Sequence, residues 1–129
     1  MPTRARPTSP HWQIYHWGIG MSLSILHRVT GSFLALGLIA LTYWFVSLAS
    51  GPEAYETATN VLVNPLGLLV LVGWTFAFLF HLLNGVRHLV WDAGRGFEHA
   101  ERRGSGWFAV SAAGLLTLCV WIWIWRHFS

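Results

Sequence analysis

The chain has 129 residues, of which 54% are hydrophobic and only 10% charged, with nine tryptophans. A soluble domain carries roughly 25% charged residues, so the composition excludes one and points to a membrane. The net charge of +3 comes from eight arginines and no lysine; they flank apolar runs instead of interleaving with aromatics on a polar face, which argues against nucleic acid as a partner and for membrane lipid.

The length predicts one domain over residues 1–129, a transmembrane anchor domain. The N-terminal stretch MPTRARPTSPHWQIYHW lacks the uninterrupted apolar core of a secretory signal, and it is short and proline-rich for a transit peptide. A multi-pass protein of a bacterial inner membrane is therefore expected in preference to an organelle protein. The first apolar run, residues 29–48, is long enough to cross about 30 Å of hydrocarbon. Its helix should begin near Met21 and stop at Ser50, Gly51 and Pro52, giving a span of about 21–49. Residues 50–64 connect, with Glu53 and Glu56 but no arginine, and AYETATNVL reads as a short surface helix. Asn64 and Pro65 then open a second span, about 65–91, since proline suits a first helical turn. The segment DAGRGFEHAERRGSG, residues 92–106, is glycine-rich and charged and reads as a loop. A third span follows at about 107–126, with Trp107 at one end and Trp121, Trp123 and Trp125 at the other, as in aromatic belts.

The predicted fold is thus all-α, with three transmembrane helices. Arg4, Arg6, Arg28, Arg87, Arg95, Arg102 and Arg103 fall on one side and only Arg126 on the other. The positive-inside rule then makes the N-terminus cytoplasmic. The single cysteine, Cys119, has no partner for an intrachain disulfide, and its apolar neighbours predict burial as a small hydrophobe.

Ionisable groups are costly inside a bilayer, so the two polar clusters in the spans draw attention. This topology puts residues 24–28 of the first span and residues 81–88 of the second at about the same depth on the cytoplasmic side. Antiparallel helices would bring them together. His81, Gly85 and His88 are spaced by four and three, so they share one helix face. A histidine on such a face can ligate haem iron, and glycine one turn away leaves clearance for a flat macrocycle. His88, nearer water and beside Arg87, suits a haem propionate. The competing reading is that His81 only hydrogen-bonds a neighbouring helix or a water. In the first span Ser24 and Arg28 are four apart, as are His27 and Gly31. A hydroxyl and a guanidinium there can hydrogen-bond a quinone carbonyl and stabilise charge developing on it. Snorkelling of Arg28 to the interface is the plainer explanation. Asp92 suits an ion pair with Arg28, Arg87 or Arg95, or a proton relay. His11, His16, His99 and His127 lie in termini or loops and are weak ligand candidates. Gly31 and Gly37 suggest close helix packing or cofactor clearance.

Three strings together, RPTSPHWQIY (6–15), SILHRVTG (24–31) and HLLNGVRHLVWDAG (81–94), resemble the cytochrome b membrane-anchor subunit of succinate dehydrogenase, respiratory complex II. The third span resembles it in kind only, and Thr8 and Trp12 depart from the usual leucine or valine. The resemblance implies that His81 is an axial ligand of haem b, the other ligand coming from a second three-span anchor subunit that completes the helix bundle. It implies that Ser24 and Arg28 line the ubiquinone site, and that His27, Arg28 and His88 lie near the haem propionates. It also implies docking to an iron–sulfur subunit and a flavoprotein subunit, which carry the clusters and the FAD. The sequence itself has no dinucleotide-binding glycine motif and no cysteine cluster, so succinate chemistry is not expected in this chain. A purely structural anchor for a peripheral redox complex is the alternative. A small transporter is disfavoured, because no pair of broken helices meets at a midplane.

Overall fold

The computed structural model describes residues 17–128. The expectations on Arg4, Arg6, Thr8, His11, Trp12 and His16 lie outside the described residues. Among the described residues four helices follow in order: α1 (Ile19–Ser50), α2 (Pro52–Val63), α3 (Pro65–Asp92) and α4 (His99–Phe128). Three of them, α1, α3 and α4, are long and apolar enough to cross a membrane. At 1.5 Å per residue their 32, 28 and 30 residues run roughly 48, 42 and 45 Å, well beyond the hydrocarbon thickness of about 30 Å.

Local chemistry explains the helix ends. The Asn64 side chain accepts hydrogen bonds from the Leu66 and Gly67 amides, both at 3.0 Å, and Pro65 occupies the first turn. Gly51 links α1 to α2 at φ 119°, a conformation that L side chains rarely adopt. Hydroxyls within the spans turn back on their own helices: Thr30 Oγ1 donates to the Leu26 carbonyl at 2.8 Å, and Thr42 to that of Leu38 at 2.8 Å. In a solvent without hydrogen-bonding partners this satisfies them locally.

α3 is central, packing against α1 on one side and α4 on the other. The buried cluster is small: Leu23, Phe80 and Ala113, with Ile19, Leu26, Phe76, Leu79, Leu83 and Val110 around it. Most large apolar side chains face outward; Leu36 is 65% and Ile39 68% exposed. That is the expected pattern where lipid, being as apolar as a core, does not force such groups inward. Contact is instead made by small residues. Gly106, Ala109, Ala113 and Thr117 form the buried stripe of α4.

Two expectations need correction. Residues 99–106 are helical, so the connection is only residues 93–98. Alanine, glutamate and arginine favour helix there, and Gly106 serves packing, since a Cβ would press on Leu23 of α1. Cys119 is exposed on α4, not buried; the outward face of a membrane helix accepts a small apolar group without enclosing it. Gly37 has a definite task. Any Cβ there would fall inside the Trp74 indole, so the glycine lets α3 approach α1. Gly37→Ala is expected to cost about 1–3 kcal/mol by overpacking. The thermal midpoint of the purified complex should fall, and cutting Trp74 to Leu in the same chain should restore part of it. An unchanged midpoint would refute the close contact.

Candidate functional site

The early part of α1 and the late part of α3 cross where the imidazoles lie. The His27 and His81 rings stack with centroids 3.8 Å apart and planes 7° from parallel. His88 stands 5.3 Å from His27, tilted by 55°. Gly31 makes room for this arrangement, because a Cβ on it would sit 3.0 Å from Cε1 of His81.

The two nitrogens of His81 have different surroundings. Nδ1 lies 3.2 Å from the backbone carbonyl of His27 and 3.3 Å from Thr30 Oγ1. A carbonyl can only accept, so Nδ1 carries the proton and donates to it. The Thr30 hydroxyl is oriented by its own bonds to the Leu26 and His27 carbonyls, at 2.8 and 3.0 Å. Nε2 of His81 then bears a lone pair. It makes no hydrogen bond to a described residue, and it is not one of the buried atoms left without a partner. A backbone carbonyl on one ring nitrogen is the usual support for a histidine that ligates a metal through the other. Beyond Gly85, one turn further, a Cβ would meet nothing within 4 Å, so a flat group could lie there. Nδ1 of His27 is buried without a partner. Among the described residues no group of three or more His, Cys, Asp or Glu could hold a bare metal ion. The site offers one imidazole nitrogen without a hydrogen bond to a described residue, on the helix that also carries the open space at Gly85.

Ser24 and Arg28 sit one turn apart on α1, both exposed, while His27, Thr30 and Gly31 turn toward α3. The histidines are therefore brought together; Ser24 and Arg28 occupy an adjoining outward face. Asp92 is exposed at the end of α3. It does not pair with Arg87, whose donors go to neutral oxygens: Nε to Ser105 Oγ at 2.9 Å, one terminal nitrogen to Asn84 Oδ1 at 3.1 Å and the other to the Arg102 carbonyl at 3.0 Å. The guanidinium also lies 4.0 Å above the Trp91 ring. The sequence alone does not single out Thr30, Asn84 or this Arg87 clamp. A lone asparagine inside an apolar helix was the available signal, because a polar group in a span needs a named partner.

Fold and site together define a class: a three-span helical membrane subunit that presents an oriented imidazole nitrogen at one end of its helix bundle. The particular family follows from comparison with known proteins. Residues 2–124 match the succinate dehydrogenase/fumarate reductase transmembrane subunit family, and the chain belongs to it. It is 38% identical over 117 residues to a succinate dehydrogenase cytochrome b556 subunit of Rickettsia felis, covering 91% of each chain. The like-named subunit of Paracoccus denitrificans is 35% identical over 113 residues, 88% of this chain and 87% of that one. A succinate dehydrogenase cytochrome b560 subunit of Reclinomonas americana is 38% identical over 122 residues, covering 91% and 85%. The protein is thus a transmembrane subunit working within a larger complex.

Proposed function

We propose that this chain is the cytochrome b anchor of a succinate:ubiquinone oxidoreductase, a single domain in a bacterial inner membrane with its N-terminus in the cytoplasm. His81 Nε2 is one axial ligand of haem b, and a second three-span anchor subunit supplies the other. His27, Arg28 and His88 stand toward the propionates. Ser24 and Arg28 belong to the site where ubiquinone takes up two electrons and two protons. The chain docks an iron–sulfur subunit, fed in turn by a flavoprotein subunit that oxidises succinate; the clusters and FAD stay on those partners.

The observation that carries this reading is the pair of roles at His81, Nδ1 held by the His27 carbonyl and Nε2 left with a lone pair, with open space at Gly85 one turn along the helix. The relatives' names, cytochrome b556 and b560, support haem b as the group involved. Bound there, haem would supply a one-electron carrier between partner clusters and quinone. The chain's own work is to fix the imidazole, keep the helix face clear and offer N–H donors at the rim. At the quinone, the Ser24 hydroxyl and the Arg28 guanidinium, both exposed on one face, donate to a carbonyl oxygen that gains charge on reduction.

The purified complex should show a reduced-minus-oxidised b-type spectrum; an assembled, active complex without one overturns the haem assignment. Arg28→Leu is expected to lower quinone reduction per assembled complex by about 100-fold, as loss of a donor to developing charge does elsewhere. Succinate oxidation with an artificial acceptor should persist. Unchanged quinone reduction would instead favour the purely structural anchor.

A further inference from the structure

Asn84 is 1% exposed, in a span where an unpaired amide is costly. Both ends of its side chain are engaged. Oδ1 accepts from Arg87 at 3.1 Å, and Nδ2 lies 3.3 Å from Nε2 of His88. A guanidinium has only donors, so the amide must turn its oxygen to Arg87 and its NH2 to His88. The amide nitrogen can only donate, so Nε2 of His88 accepts, and the proton of the neutral ring sits on Nδ1. Arg87 cannot swing away to relax this requirement, because Ser105, the Arg102 carbonyl and the Trp91 ring hold it. Donation therefore runs outward from Arg87, to the start of α4 on one side and through Asn84 to His88 on the other. Trp91, edge-on at 5.1 Å, further limits how the imidazole can turn. Nδ1 of His88 makes no hydrogen bond to a described residue and is not among the buried atoms left unpartnered.

We infer that Asn84 is a positioning residue for His88: it selects the Nδ1–H tautomer, the one less favoured by free histidine, and so presents an N–H donor to an anionic oxygen outside the chain. That the oxygen belongs to a haem carboxylate rests on the function proposed above; the tautomer does not.

The test is nitrogen-15 and carbon-13 NMR of the whole complex with labelled histidine, His88 being assigned by the signal lost in His88→Gln. In the wild type the bare nitrogen of His88 should be Nε2. Asn84→Asp keeps an acceptor for Arg87 but turns a second acceptor toward His88, so the proton should move and the bare nitrogen become Nδ1. A wild-type ring with its proton on Nε2, or on both nitrogens, overturns the inference, as does an unmoved proton in Asn84→Asp. If Asn84→Asp fails to assemble, the wild-type tautomer decides alone. Haem content measured on the same samples separates the two ideas: absent haem would sink the proposed function and leave the tautomer result standing.

Discussion

Replacing His81 by alanine is expected to cut haem b per assembled complex at least about tenfold and to abolish the b-type difference spectrum. Disturbing only the outer support of a metal-ligating histidine already costs 10–100-fold in metal affinity, so losing the ligand itself should cost no less. The neighbouring rings are otherwise placed: Nδ1 of His27 is enclosed, and Nε2 of His88 faces the Asn84 amide. Normalising to assembled complex matters, because the ring also fills the contact between α1 and α3 at Gly31. Haem retained at wild-type level in His81→Ala would end the assignment of this ligand.

Arg87→Met should be the most destabilising single change outside that ligand. The side chain is buried, and methionine matches much of its length while removing every donor. Ser105 Oγ, the Arg102 carbonyl and Asn84 Oδ1 would each lose a partner. Asn84 Oδ1 is buried, whereas Ser105 is half-buried and Arg102 exposed, so one unsatisfied buried acceptor, at about 1–3 kcal/mol, dominates the expected loss. The upper end corresponds to a fall of roughly 10 °C in the thermal midpoint of a unit this size. Arg95→Met, at an exposed position in the connection, should change stability by no more than about 0.5 kcal/mol. Equal midpoints for the two variants would show that the clamp contributes nothing.

The spans were legible because hydropathy over some twenty residues is a coarse, additive signal that no single contact can overturn. Asn64 followed by Pro65 marked a helix start from purely local chemistry, and the structure has that cap. AYETATNVL reads as a short helix, and α2 extends it by two residues before and one after. The meeting of His27 with His81 could also be read, since equal depth on antiparallel helices follows from topology. What could not be read depends on contacts between distant residues. Gly104 and Gly106 look like loop punctuation until Leu23 is seen against Gly106. Arg87 looks like one more charge in a basic connection until its three neutral partners are located. The inward or outward facing of Cys119 depends on which stripe of α4 meets the other helices, and that is set by the small residues beside it, not by its own polarity.

The helical connection α2 has a consequence for the far end of the molecule. Twelve residues between Gly51 and Asn64 join the two spans, with Trp44 Nε1 bonded to Thr59 Oγ1 at 3.2 Å across the corner. Such a strut, unlike a slack tether, transmits angular phase. Each residue of an α-helix turns the chain by about 100° and advances it by 1.5 Å. The azimuth at which α3 leaves the corner therefore decides, some 25 Å further along, whether position 81 looks at α1 or at lipid. Crossover length is a timing element for the imidazole stack, although none of its own residues comes near the rings.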